Sequence, residues 1–122
     1  MSNRIIPYGK QNITESDINE VVSVLKSDYL TQGPAIEQFE RGFASYVDSA
    51  YGVAVSNGTA ALHLLMLALG LKRGQKVITT SLSFAATANS ILYCGGEVVF
   101  VDIDPESYLI SINEIKRVIQ NS

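Results

Sequence analysis

At 122 residues the chain is one domain's worth of polypeptide, and 47% hydrophobic against 17% charged residues excludes a disordered segment. Nine basic against twelve acidic residues give a formal charge of −3, with no basic stripe to attract nucleic acid or an anionic membrane surface. Cys94 stands alone, which excludes an internal disulfide and fits a reducing compartment.

The opening "MSNRIIPYGKQN" carries no apolar run followed by a cleavage site, so no secretory leader is expected. "NITESDINEVVSVLKS" predicts a capped helix. Thr14 is the N-cap, Asp17 three residues on completes a short-armed capping box, and Ile18, Val21, Val22 and Leu25 form one apolar stripe. "YLTQGP" interrupts the pattern with Gly33-Pro34, and helical spacing resumes through Ile36, Phe39, Phe43 and Val47. The second half alternates. "YGVAVS" reads as a strand before a helix from about Thr59 to Leu69, with Gly70 as its C′ residue. "QKVITTS" is the next strand, "FAATANSILYCGG" a helix ended by paired glycines, "EVVFVDID" a third strand, and "SINEIKRVIQ" a further helix. Three strands joined through helices predict an α/β fold with parallel strands. Such a sheet leaves an apolar edge exposed, so a piece of a longer polypeptide is expected. The longest apolar run, "AALHLLMLALGL", includes His63 and is shorter than the roughly 20 residues of a spanning helix. A cytoplasmic protein is expected.

Two stretches carry candidate chemistry. "SNGTA" places Ser56, Asn57, Gly58, Thr59 and Ala60 at a helix mouth, where free N–H groups and the positive end of the macrodipole attract anions. Gly58 admits close approach, Thr59 adds a hydroxyl and Ala60 an unencumbered N–H. The same residues also suit plain capping, and both readings stand at this point. Neither G-x-G-x-x-G after a strand nor G-x-x-x-x-G-K-[ST] occurs, so the common dinucleotide and nucleotide loops are absent. In "TTSLSFAATANSI", Phe84 follows a strand among small residues; it is a platform for a flat ring or an ordinary core phenyl.

"YLTQGPAIEQFE", "SNGTAALHL", "SFAATANSI" and "VFVDIDPESYLI", in that order across nearly the whole chain, resemble the DegT/DnrJ/EryC1/StrS family of pyridoxal-phosphate-dependent sugar aminotransferases. Within that family, "IPYGKQNITESDI" and "SFAATAN" are most similar to the transaminases of pseudaminic acid biosynthesis. The resemblance implies the N-terminal part of the large domain of a fold-type I transferase. It also implies the cofactor pyridoxal 5′-phosphate, and amino transfer from glutamate to a UDP-linked 4-keto-6-deoxy-N-acetylhexosamine in a homodimer. Residue by residue, it assigns the cofactor phosphate to Gly58, Thr59 and Ala60 and the pyridine ring to Phe84. The sugar nucleotide falls to Tyr8, Asp28, Tyr29, Leu30 and Thr31, with Gly58 at its edge. Tyr29 and Leu30 could equally tether the first helix.

A pyridoxal enzyme also needs a lysine for the covalent link and an acid at the pyridine nitrogen. Lys10, Lys26, Lys72, Lys76 and Lys116 all lie outside the family's lysine context, so that residue is expected beyond residue 122 and this chain alone is expected to be inactive. Lys72 and Lys76 read as a solvated turn, Asp102 and Asp104 as capping carboxylates, and His63 as a packed residue. Two alternatives stay open: a dehydrase of the same fold with histidine at the lysine position, and a non-catalytic binding module.

Overall fold

In a computed structural model that describes residues 9–121, Thr14 opens the first helix with both halves of its capping box. The Asp17 N–H donates to Thr14 Oγ1 at 3.4 Å, and the Thr14 N–H donates to Asp17 Oδ2 at 2.7 Å. Helix α1 runs Glu15–Leu25 and α2 runs Pro34–Tyr46, with Pro34 at the helix start, where its missing N–H goes unneeded. They belong to the first of two compact units, which divide between Ala54 and Val55. After α2 the chain comes back along it. The Ala54 N–H donates to Glu40 Oε1 at 2.7 Å. Gly52 passes so close that an added Cβ would stand 2.6 Å from the Glu40 carbonyl oxygen.

The strand expected in "YGVAVS" does not form. Its residues alternate as a strand's do: Gly52 and Ala54 are half-buried while Tyr51 and Val53 are 87% and 79% exposed. A strand also requires a ladder, however, and among the described residues this backbone has no neighbouring strand to bond.

The second unit holds α3 (Gly58–Ala68), β1 (Lys76–Thr80), α4 (Ala86–Tyr93), β2 (Glu97–Val101) and α5 (Ile112–Gln120). Its sheet therefore has two strands rather than three. They run parallel, from Lys76 opposite Glu97 to Thr80 opposite Val101, with α4 as the crossover. Both preceding helices stop in the same way. Gly70 (φ +71°) and Gly95 (φ +75°) take the left-handed conformation that closes a Schellman motif. The Gly70 and Leu71 amides donate back to the Leu67 and Met66 carbonyls, and those of Gly95 and Gly96 to Leu92 and Ile91. The core is small: Ala86, Ser90 and Ile91 of α4 with Thr79 and Val101 of the strands. Buried Ser90 is satisfied, its hydroxyl donating to the Thr87 carbonyl at 2.9 Å.

Beyond β2, Asp102 and Asp104 act as capping groups. Asp104 Oδ1 accepts from the Ser107 amide at 2.8 Å, the Ser107 hydroxyl at 2.9 Å and the Glu106 amide at 3.1 Å. Asp102 Oδ1 accepts from the Ile103 amide at 2.8 Å.

Two outcomes follow from this framework. Gly52→Ala should cost about 1–3 kcal/mol, because a backbone carbonyl cannot swing aside as a side chain can; a urea melt indistinguishable from the parent's would refute the tight passage. The second outcome concerns acid. Ser107 holds the Asp104 carboxyl, and Thr14 the Asp17 carboxyl, below the ordinary aspartate value of 3.8. Each lowered group contributes stability that is present above 3.8 and lost as pH falls through its folded value. Replacing both by Asn should therefore flatten the acid limb of a Tm-against-pH curve and leave its alkaline limb in place.

Candidate functional site

The mouth of α3 is built by Asn57, Gly58, Thr59 and Ala60. Asn57 sits in extended backbone as the N-cap, and its Oδ1 accepts the Ala60 N–H at 2.9 Å. Capping thus takes one of the three groups that the resemblance assigns to a phosphate. It leaves the others: the Gly58 and Thr59 amides and the Thr59 hydroxyl have no hydrogen-bond partner among the described residues. Gly58 faces open space, since a Cβ there would meet nothing within 4 Å. Its smallness serves no packing need within this fold. The first turn of α3, like that of α4, holds no acidic residue, whereas α1, α2 and α5 each carry at least one. The positive end of this helix is therefore uncompensated. Two amides, one hydroxyl and room beside a glycine fit a phosphate ester, with Ala60 available only if Asn57 turns away.

Phe84 lies past the end of β1, on the turn into α4. The residue is 78% exposed, so it is not part of the core of the described residues. With Phe100 of β2, Thr80, Thr87 and Asn89 it lines a cavity of about 190 Å³ at the carboxyl ends of the two strands, where ligands gather in open α/β sheets. The α3 mouth was expected to follow a strand of the same sheet; it does not, because residues 51–56 form no strand. One pair escaped the sequence reading. Ser83 and Thr87 share a hydrogen bond of 2.8 Å across the α4 start, and its signal was two hydroxyl residues four apart astride an uncapped Ala85.

Asp28, Tyr29, Leu30 and Thr31 are all exposed in the irregular loop between α1 and α2. Tyr29 and Leu30 are 62% and 65% exposed, too open for a tether on α1. The loop has its own internal support: the Ser27 hydroxyl donates to the Val24 carbonyl at 2.8 Å, and the Tyr29 side chain covers Gly33, whose φ is +120°. Tyr8 lies outside the described residues. His63 is half-buried and meets Tyr93 edge-on at 5.4 Å between ring centres, joining α3 to α4 as a packing residue. Among the described residues no group of three or more His, Cys, Asp or Glu could hold a metal ion. No helix there is long and apolar enough to cross a membrane.

Comparison with known proteins bears on this arrangement. Residues 11–122 match the DegT/DnrJ/EryC1/StrS aminotransferase family. The chain is 37% identical over 118 residues to the UDP-4-amino-4,6-dideoxy-N-acetyl-beta-L-altrosamine transaminase of Campylobacter jejuni, covering 97% of this chain and 31% of that one. Among solved structures it superposes with a TM-score of 0.85 on the PLP-form of a sugar aminotransferase from Streptococcus pneumoniae, described as putative. Identity there is 30%, covering 92% of this chain and 29% of that one. The Escherichia coli GDP-4-keto-6-deoxy-D-mannose-3-dehydratase with bound hydrated PLP superposes at 0.84 with 32% identity, covering 91% and 30%. The chain spans about 30% of the length of the curated relatives it matches.

The helix mouth makes a direct claim about amides. Inorganic phosphate should slow hydrogen exchange at Gly58 and Thr59, while Ala60, already bonded to Asn57, should exchange slowly with or without it. Equal rates at Gly58 and Thr59 in phosphate and in chloride of matched ionic strength would rule out an anion seat.

Proposed function

We propose, because this chain belongs to the DegT/DnrJ/EryC1/StrS aminotransferase family, that the whole protein is a pyridoxal-phosphate-dependent aminotransferase of nucleotide-linked keto-sugars. Residues 1–122 are, on this reading, the N-terminal portion of its cofactor-binding large domain. The substrate is a UDP-linked 4-keto-6-deoxy-N-acetylhexosamine and the amino donor glutamate, as the likeness to the Campylobacter transaminase supports. The working form is a cytoplasmic homodimer, a reading favoured by the apolar faces of α3, none of whose residues is buried.

The observation that carries this reading is the α3 mouth: unpaired amides, an unpaired hydroxyl and an open glycine at an uncompensated helix end. The cofactor supplies the electron sink that makes amino transfer feasible. This chain's share is binding and orientation. The Gly58 and Thr59 amides and the Thr59 hydroxyl take the phosphate, Ala60 joins them when Asn57 releases it, and Phe84 supports one face of the ring and excludes water from it. Tyr8 and the Asp28–Thr31 loop receive the sugar nucleotide. The anchoring, proton-carrying lysine and the acid at the ring nitrogen belong to the part of the protein beyond residue 122, so residues 1–122 alone catalyse no transamination.

A dehydratase is the second reading, favoured by the near-equal superposition on the Escherichia coli enzyme. Both share the phosphate seat, and they part at the missing lysine position. Incubating the whole protein with cofactor, glutamate and the UDP-4-keto sugar separates them. Amino-sugar formation matched by 2-oxoglutarate supports the transaminase; loss of water from the sugar supports the dehydratase. Thr59→Val should weaken cofactor binding at least about tenfold, since a hydrogen bond to a charged group contributes roughly 1.5–3 kcal/mol. Unchanged affinity by equilibrium dialysis would remove Thr59 from the seat and the reading with it.

A further inference from the structure

The exposed Phe84 side chain lines a cavity together with Thr80, Ser83, Thr87 and Phe100, and its attitude there depends on the backbone that carries it. The turn that carries Phe84 is held at several points. The Ser81 N–H donates to the Val101 carbonyl at 3.1 Å, which ties the turn to the end of β2, and the Leu82 N–H donates to Thr80 Oγ1 at 3.3 Å. Beyond Phe84 the usual fixture is missing, because the N-cap of α4 is Ala85, which offers no side-chain acceptor. The Ser83–Thr87 hydrogen bond of 2.8 Å stands in for it, spanning Phe84 and joining the turn to the first helical turn. Below it, the Thr87 N–H donates to the Phe84 carbonyl at 3.0 Å, and the Thr87 carbonyl accepts from buried Ser90. Thr87 is therefore anchored in the core through its backbone while its hydroxyl reaches back over Phe84.

We propose that Ser83 and Thr87 are positioning residues: their shared hydrogen bond fixes the 81–85 turn so that the Phe84 ring stays out of the core, beside the cavity at the strand ends, in the attitude a flat cofactor needs. This rests on the reading of Phe84 as the ring platform and adds what holds the platform in place. Both residues line the cavity beside Phe84, and the positioning role is the part of their effect that passes through Phe84.

That last point makes it testable in the whole protein with pyridoxal phosphate, by equilibrium dialysis and by the visible circular-dichroism band, which at saturating cofactor reports the setting of the ring rather than its occupancy. Thr87→Val keeps the shape of the side chain and removes the hydroxyl. It and Ser83→Ala should each weaken cofactor binding about three- to tenfold, the range for one lost hydrogen bond, and should shrink the band at saturation. Thr87→Ser should restore both. In a Phe84→Leu background Thr87→Val should add nothing, because its route of action is gone. If Phe84→Leu itself changes neither affinity nor band, the platform reading fails, and this proposal with it. If Phe84→Leu has its effect and Thr87→Val has none, or if the two losses add in full, the platform stands and the positioning role is overturned.

Discussion

The parallel ladder between β1 and β2, with α4 laid across it, is the long-range constraint on which the second unit depends. It brings Thr80 beside Val101 and so sets where the two following loops begin. One loop carries Phe84, and the other carries the Asp102 and Asp104 turn. The cavity beside Phe84 exists because Phe100 projects from the neighbouring strand at the same end. A loop residue, Phe84, and a strand residue, Phe100, thus share a place because the two strands are held in register over five paired positions. A rigid ladder carrying variable loops is the usual way for an α/β sheet to present a binding surface.

Helix ends were the most legible part of this structure. Thr14 with Asp17 specifies a capping box within four residues, and Gly70 and Gly95 specify Schellman ends through their tolerance of positive φ. These are local rules, satisfied by atoms a few residues apart. The expected strand at residues 51–56 shows where such rules stop. Its β-branched alternation is genuine, and the exposures follow it, but a ladder needs a second backbone and pairing is not a local property. Glu40 bonds one amide of this segment from α2, a contact fourteen residues away that no periodicity announces.

The candidate site divides along the same line. At the α3 mouth, capping and anion binding looked like competing uses of one stretch of sequence. In the structure they take different donors: Asn57 occupies the third amide, and the first two remain free. The sequence contained both answers because a helix mouth has several orphan N–H groups and a single cap satisfies only some of them. Phe84 illustrates the opposite difficulty. Residue type favours burial for a phenyl, yet Phe84 is exposed on the turn between β1 and α4, beside a Ser83–Thr87 hydrogen bond that composition does not reveal.

Magnitudes decide what such a seat can do by itself. Two amides and a hydroxyl facing a charged phosphate offer roughly 5–9 kcal/mol gross, taking each bond to a charged group at about 1.5–3 kcal/mol. Immobilising a ligand from a 1 M standard state costs an estimated 4–15 kcal/mol, so the balance runs from about 5 kcal/mol favourable to about 10 kcal/mol unfavourable. A phenyl face adds about 0.5–1.5 kcal/mol. On the proposed reading, the mouth and the platform would recruit and orient a phosphate-bearing ring, and over most of that range they would not hold it unaided. Retention calls for a further strong term, either a covalent bond or a charge pair on the ring. The residues described hold neither kind of group at the site, while α3 is apolar around most of its circumference, half-buries Leu62, His63 and Met66, and leaves Leu64, Leu65 and Leu67 exposed. An all-round apolar helix is stable when other structure packs against its sides. The exposed Leu64, Leu65 and Leu67 mark the side of α3 on which such packing is open.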